Sequence, residues 1–186
     1  MQKSKLYAAY GSNMNLIGMS VRCPESQVVG HGYIDDFALE FRYYANIEES
    51  PGQRVPVVLW RISEADEVRL DRYEGVHIGL YRKEILTARI ESLYDDNDQI
   101  GKLKESDEVR VMVYIMIPDT RPIEPPSLSY YNTIREGYEQ NGISKRPLAI
   151  AAIKVGATFP ELDVEADSEP EGTSAPRRYK QKGVRF

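Results

Sequence analysis

One cysteine, Cys23, stands among 186 residues, so no disulfide can form within the chain and no cysteine cluster can hold a metal. Long apolar runs are missing as well. No stretch reaches the length of a signal peptide or a membrane span, and the expected setting is the reducing cytoplasm. Positive charge is short: 24 Lys and Arg against 29 Asp and Glu leave a net charge of −5. That balance argues against a nucleic-acid or anionic-membrane partner, which usually needs a basic face. Arg177, Arg178, Lys180 and Lys182 near the C-terminus are too few to reverse it.

What remains reads as one globular domain and a tail. Hydrophobic residues make up 41% of the chain, and 186 residues suffice for one sizeable core. Residues 1–160 form the expected domain. Residues 161–186 turn rich in Pro, Ser, Glu and Lys/Arg, and read as a disordered or extended charged tail with little to bury.

In chain order, residues 5–10 read as a buried strand and 14–21 as a short helix stopped at Arg22-Cys23-Pro24. Two extended runs follow, 28–34 and 37–43, then a turn at Glu49-Ser50-Pro51-Gly52. Residues 55–62 form a strand buried on both faces. Ser63 caps a helix, Asp66 sits where a capping-box acid belongs, and Gly75 stops that helix. Strands are expected at 81–90 and 109–117, with a polar loop at 94–107 between them. The acidic run at its head lacks the glycine and terminal glutamate of a calcium loop, so no metal is expected there. Residues 127–141 read as an amphipathic helix with Tyr131, Ile134 and Tyr138 on one stripe, and 145–155 as another.

Two stretches carry chemistry. Tyr10-Gly11-Ser12-Asn13 stands between the first strand and the first helix. Such a turn can gather backbone N–H groups into an anion site, with Gly11 free to take φ > 0 and Ser12 and Asn13 as cap residues and donors. Taken alone, these four residues are as well explained by a plain capped turn. The second stretch is Leu70-Asp71-Arg72-Tyr73-Glu74-Gly75-Val76, with Gly79 and Tyr81 beyond. Glu74 falls at a helix C-terminus, where the dipole disfavours its charge, and beside apolar residues that desolvate it. Both effects raise its proton affinity toward that of a general base; alone, it also reads as a surface Glu before a cap glycine. His31, His77, Cys23 and Trp60 have simpler readings as turn, packing and core residues, although His77 follows the Glu74 helix end and could face a pocket.

Together and in this order the two stretches resemble the gamma-glutamylcyclotransferase superfamily. Its Tyr-Gly-Ser-Asn turn precedes an apolar residue, here Met14, and its Leu-Asp-x-x-Glu-Gly run ends in Gly-x-Tyr. Val57-Val58-Leu59-Trp60, Val113-Tyr114-Ile115-Met116 and Pro126-Ser127-Leu128-Ser129-Tyr130, with Gly137 and Asn141-Gly142-Ile143, extend the likeness over about residues 5–155. The resemblance implies an α+β fold, a small mixed β-barrel with flanking helices. It implies release of 5-oxoproline from a γ-glutamyl amino acid, peptide or amine, without a cofactor. Glu74 would be the acid/base. Tyr10, Gly11, Ser12, Asn13 and Met14 would bind the γ-glutamyl carboxylate, Tyr114 and Tyr130 would line the pocket, and Tyr81 would support it. A small γ-glutamyl substrate is the expected partner, for a monomer or homodimer.

Such a reaction needs no Ser, Cys or metal nucleophile, since the substrate's own α-amine attacks its γ-carbonyl; this suits a chain with one Cys and two His. Alternatives stay open. One is a γ-glutamyl deacylase of a specialised metabolite; the other is a non-enzymatic ligand-binding module, or an interaction protein working through the tail. For the leaving group, Arg42, Arg61, Arg72 or Arg82 could hold a second carboxylate, while the net negative charge leans toward an amine.

Overall fold

The apolar run near the N-terminus folds as β1 (Lys5–Ala9) in the computed structural model, which describes residues 4–94, 103–159 and 162. Two long strands follow, β2 (Gln27–Arg42) and β3 (Tyr44–Ile62), paired as one antiparallel hairpin from Gln27↔Arg61 to Arg42↔Tyr44. β4 (Tyr81–Leu93) and β5 (Glu108–Met116) form a second hairpin. The strands close into a barrel in the order β1-β3-β2-β4-β5, sealed by a parallel pairing of β1 with β5 at Tyr7↔Met112. The fold is therefore α+β with a mixed barrel, as expected. Val55, Val57, Val58, Leu59 and Trp60 on β3 form its buried centre.

The two extended runs at 28–34 and 37–43 are a single bent strand. The expected turn at residues 49–52 is likewise no turn between strands: β3 runs through it. Register slips between Asp35 and Phe37, whose partners are Arg54 and Glu49, so residues 50–53 bulge out opposite Asp36. Gly52 takes φ 78° there and its N–H donates to Asp36 Oδ1.

Among the described residues four helices flank the barrel: α1 (Leu16–Arg22), α2 (Glu64–Tyr73), α3 (Leu128–Gln140) and α4 (Arg146–Lys154). α2 starts on the expected capping box. Ser63 Oγ accepts from Asp66 N–H, and Asp66 Oδ2 accepts from Ser63 N–H. Asp66 is fully buried and also receives Arg69 Nη1 at 3.0 Å. Ser63→Ala is expected to cost about 1 kcal/mol, read as a fall in Tm of about 3 °C in thermal unfolding. α3 buries Tyr131, Ile134 and Tyr138, the stripe its sequence shows, and α4 packs on β2. Of the polar loop at 94–107, residues 95–102 lie outside the described residues, as does the tail from 163. Among the described residues no helix is long and apolar enough to cross a membrane.

Candidate active site

A cavity of about 300 Å³ opens at one end of the barrel. Its wall takes residues from the turn after β1, the start of β3, the end of α2, the start of β4, β5 and the start of α3. The fold thus brings together stretches that lie more than a hundred residues apart.

The turn after β1 is a 3-10 helix, Ser12–Met14. Gly11 precedes it with φ −115°, so the expected positive φ is not what selects glycine here. A side chain would press on Ala45 Cβ at 3.2 Å and come into ordinary contact with the Tyr130 hydroxyl at 3.5 Å. Nor do Ser12 and Asn13 serve as caps. Asn15 caps α1, its Oδ1 accepting from Gly18 N–H at 2.9 Å. That frees the Ser12 and Asn13 side chains for the cavity, although both residues are buried. Ser12 Oγ lies 3.1 Å from the Tyr73 hydroxyl. Asn13 Nδ2 donates to Glu74 Oε1 at 2.8 Å and to the Tyr7 hydroxyl at 2.9 Å. Its backbone carbonyl accepts from Trp60 Nε1 at 3.1 Å, which gives that core residue a second task of holding the turn.

Glu74 is the C-terminal cap residue of α2, and Gly75 follows in the left-handed region at φ 65°. The residue as a whole is part-buried, but its carboxyl group points inward. Burial raises its pKa to about 7, against the opposing pull of the Arg22 charge and the Asn13 hydrogen bond. At neutral pH such a group both gives and takes protons readily.

Tyrosines surround it. Tyr10 donates to the Tyr114 backbone carbonyl at 2.5 Å, and Tyr81 to the Ala45 carbonyl at 2.7 Å. Tyr114 donates to Asp71 Oδ1 at 2.8 Å, and Lys83 holds the other oxygen of Asp71 at 2.9 Å. Tyr130 accepts from Ala45 N–H at 3.3 Å, and Tyr7 accepts from Asn13. Burial keeps all five phenols protonated. Because the acceptors on Tyr10, Tyr81 and Tyr114 are carbonyl or carboxylate oxygens, those phenols have committed their protons. Tyr7 and Tyr130 have not, on these bonds.

Of the candidate residues, Tyr10, Gly11, Ser12, Asn13, Glu74, Tyr81, Tyr114 and Tyr130 all line the cavity. Met14 does not; it is fully buried beneath the turn, against Gly137 of α3. Arg72 reaches the cavity, whereas Arg42, Arg61 and Arg82 do not. His77 lines its rim, and His31 lies elsewhere, between Tyr94 and Glu91. Cys23 is buried, its thiol pushed up to about 11 by that burial, and it stands outside the cavity. Sequence reasoning missed Tyr7, Tyr44 and above all Arg22. Tyr7 was open to discovery: it lies on the buried end of β1, three residues before Tyr10 of the turn. Among the described residues no three His, Cys, Asp or Glu side chains gather as a metal site.

Fold and site define a small mixed-barrel protein built around one carboxylate in a tyrosine-lined cavity. Comparison with known proteins supplies the family. A family model described as gamma-glutamyl cyclotransferase, AIG2-like, matches residues 7–132, and the chain belongs to that family. It is 29% identical over 153 residues to a Bos taurus gamma-glutamylcyclotransferase, spanning 76% of this chain and 73% of that one. To the Homo sapiens gamma-glutamylcyclotransferase it is 27% identical over 154 residues, spanning 76% and 74%. A solved gamma-glutamyl cyclotransferase structure superposes with a TM-score of 0.68 at 23% identity, covering 89% of this chain and 95% of that one, a likeness of fold.

Proposed function

We propose that this protein releases 5-oxoproline from a γ-glutamyl compound, with Glu74 as the general acid/base. One observation carries the reading: among the described residues the only carboxylate lining the cavity, Glu74, has its pKa raised to about 7 and is held by Asn13 of the turn. A pure carboxylate-binding pocket gains nothing from such a group. The relatives named for this reaction support it.

The chemistry follows from that placement. The substrate's carboxylate docks on the turn, where the N–H groups of Ser12 and Asn13 open a helix and lack acceptors within it. This folds the glutamyl chain back on itself. Glu74 takes a proton from the α-ammonium, and the freed amine attacks the γ-carbonyl. Proximity supplies much of the rate, because nucleophile and electrophile share one molecule. The carbonyl oxygen gains charge and meets the phenol groups of Tyr7 and Tyr130. Tyr10, Tyr81 and Tyr114 offer oxygen lone pairs to the ammonium instead. The new C–N bond closes the ring, the old one breaks, and Glu74 hands its proton to the leaving nitrogen. Two protons in all pass from the α-nitrogen to the leaving amine, and Glu74 ends as it began.

Arg72 alone of the four weighed arginines reaches the cavity, on its exposed side. That favours a leaving group bearing a carboxylate, a γ-glutamyl amino acid or peptide, over a γ-glutamylamine. The test is 5-oxoproline release by the purified protein from γ-glutamyl amino acids, glutathione and ε-(γ-glutamyl)lysine. Release is expected, with an acid limb near pH 7 and the amino-acid or peptide substrates preferred. A folded protein that releases none from any of them refutes the reading.

A further inference from the structure

We propose that Arg22 is a positioning residue that fixes the orientation of the Asn13 amide and thereby the state of Glu74. The inference rests on the reading of Glu74 as the acid/base. It starts from donor and acceptor inventory. Arginine has only donors, so whichever end of the Asn13 amide faces it must be the oxygen. Arg22 Nη1 donates to Asn13 Oδ1. With its oxygen taken, Asn13 has only its NH₂ to turn toward the site. Both hydrogens are used, one on Glu74 Oε1 at 2.8 Å and one on the Tyr7 hydroxyl at 2.9 Å. A flipped amide would set its oxygen against the Glu74 carboxylate and leave Arg22 facing an NH₂.

Arg22 is itself fixed. Its guanidinium lies over the Tyr73 ring, Cζ 3.5 Å from the centroid, and Tyr73 hydrogen-bonds with Ser12 of the turn. The arginine closes α1, the tyrosine closes α2, and Asn13 stands between them, so the stack ties both helices to the turn. One planar cation thus sets two things: which end of Asn13 faces Glu74, and the positive charge beside it.

The groups facing Glu74 show why that charge matters. Tyr7 from β1, Tyr10 from the turn, Tyr81 from β4, Tyr114 from β5 and Tyr130 from α3 are all neutral phenols. On its own segment Arg72 and His77 reach the same cavity, but both are exposed to solvent. Arg22 is the charge that opposes burial at Glu74. Without it, desolvation acts against the neutral amide alone, and the carboxylate stays protonated to higher pH.

The experiment is a direct titration of Glu74 by ¹³C-carboxyl NMR in the full-length protein, its resonance assigned by its loss in E74Q. Arg22→Met keeps a stem to lie on Tyr73 but removes charge and fork. Its Glu74 midpoint is expected to rise by about one pH unit, with the acid limb of kcat/KM for 5-oxoproline release moving by the same amount. A folded R22M protein with an unmoved midpoint overturns the proposal; a packing role alone would change stability and leave the titration in place. Arg22→Lys separates charge from geometry, and carries the test if R22M does not fold. Lysine keeps the charge but not the planar fork, so the midpoint should stay within about half a pH unit of wild type while kcat falls about ten-fold. An R22K enzyme with wild-type kcat overturns the orienting role. Should wild type release no 5-oxoproline, the cyclotransferase reading fails, and the NMR midpoints still decide whether Arg22 governs Glu74.

Discussion

Glu74→Gln is expected to lower 5-oxoproline release by about 10²–10⁴-fold, the usual contribution of a positioned acid/base, and to make the protein more stable above pH 7. The two effects share one cause. Glutamine fills the same space and its oxygen can still accept from Asn13 Nδ2, so the cavity keeps its shape. What is lost is the proton carrier. Stability moves the other way because the folded state raises the pKa of Glu74 from 4.5 to about 7. Between those values the folded protein holds a proton that the unfolded chain has released. Wild-type stability therefore falls as pH rises through that window, and above it the fold carries a buried charge. Allowing for the part-exposure of the residue, the cost is roughly 1–2 kcal/mol. The variant has no such group, so its unfolding free energy should exceed that of wild type at pH 8 and come close to it at pH 4, below the unfolded value of 4.5. Denaturant unfolding at both pH values checks this beside the activity assay. A variant that loses activity without gaining stability at pH 8 would place Glu74 in a less demanding environment than the cavity provides.

Much of this site could be read from the chain because its two stretches are local. The Ser63 and Asp66 capping box, Gly75 as the stop and Glu74 just before it are set by neighbours in sequence, where cap chemistry speaks clearly. Cap preference also misled. Ser12 and Asn13 look like cap residues, yet Asn15 takes that task, since a short 3-10 turn delays the start of α1 by a few residues. Short polar side chains serve caps and binding sites equally well, and only tertiary partners decide between them. The bulge at residues 50–53 was hidden for a similar reason, because Pro and Gly mark turns and bulges alike. Arg22 was hidden by its position. It reads as the last residue before a helix stop. But α1 is only about 10 Å long, and an arginine at its end can reach back to the turn at its beginning. Nothing in the spacing says that it does; the Tyr73 ring, fifty-one residues on, provides the surface it lies on.

Gly137→Ala is the change expected to do most harm to the fold around the site. A Cβ at this position on α3 would stand 2.8 Å from the backbone nitrogen of Asn15, 2.8 Å from the carbonyl carbon of Met14 and 2.8 Å from its Cβ. None of these is the end of a flexible side chain. The helix would have to lift away from the turn, and it is tied down on either side of the glycine. Asn141 Nδ2 donates to the Met14 carbonyl at 3.0 Å, and Tyr130, at the helix start, receives Ala45 N–H. Strain on this scale costs about 3 kcal/mol, a fall in Tm of about 10 °C. Because the displaced backbone belongs to the turn proposed to hold the substrate, KM should rise in whatever fraction folds. Gly18→Ala supplies the contrast within the same neighbourhood. Gly18 lies inside α1 with no positive φ, and its nearest foreign atom is Asn15 Oδ1 at an ordinary 3.6 Å. Alanine there should stabilise by roughly 0.5–1 kcal/mol through helix propensity. Opposite signs for the same substitution, measured by thermal unfolding, would show that contact with the turn, and not the chemistry of glycine, makes Gly137 indispensable. If G137A unfolds at the wild-type temperature, α3 does not seat on the turn as closely as these distances require.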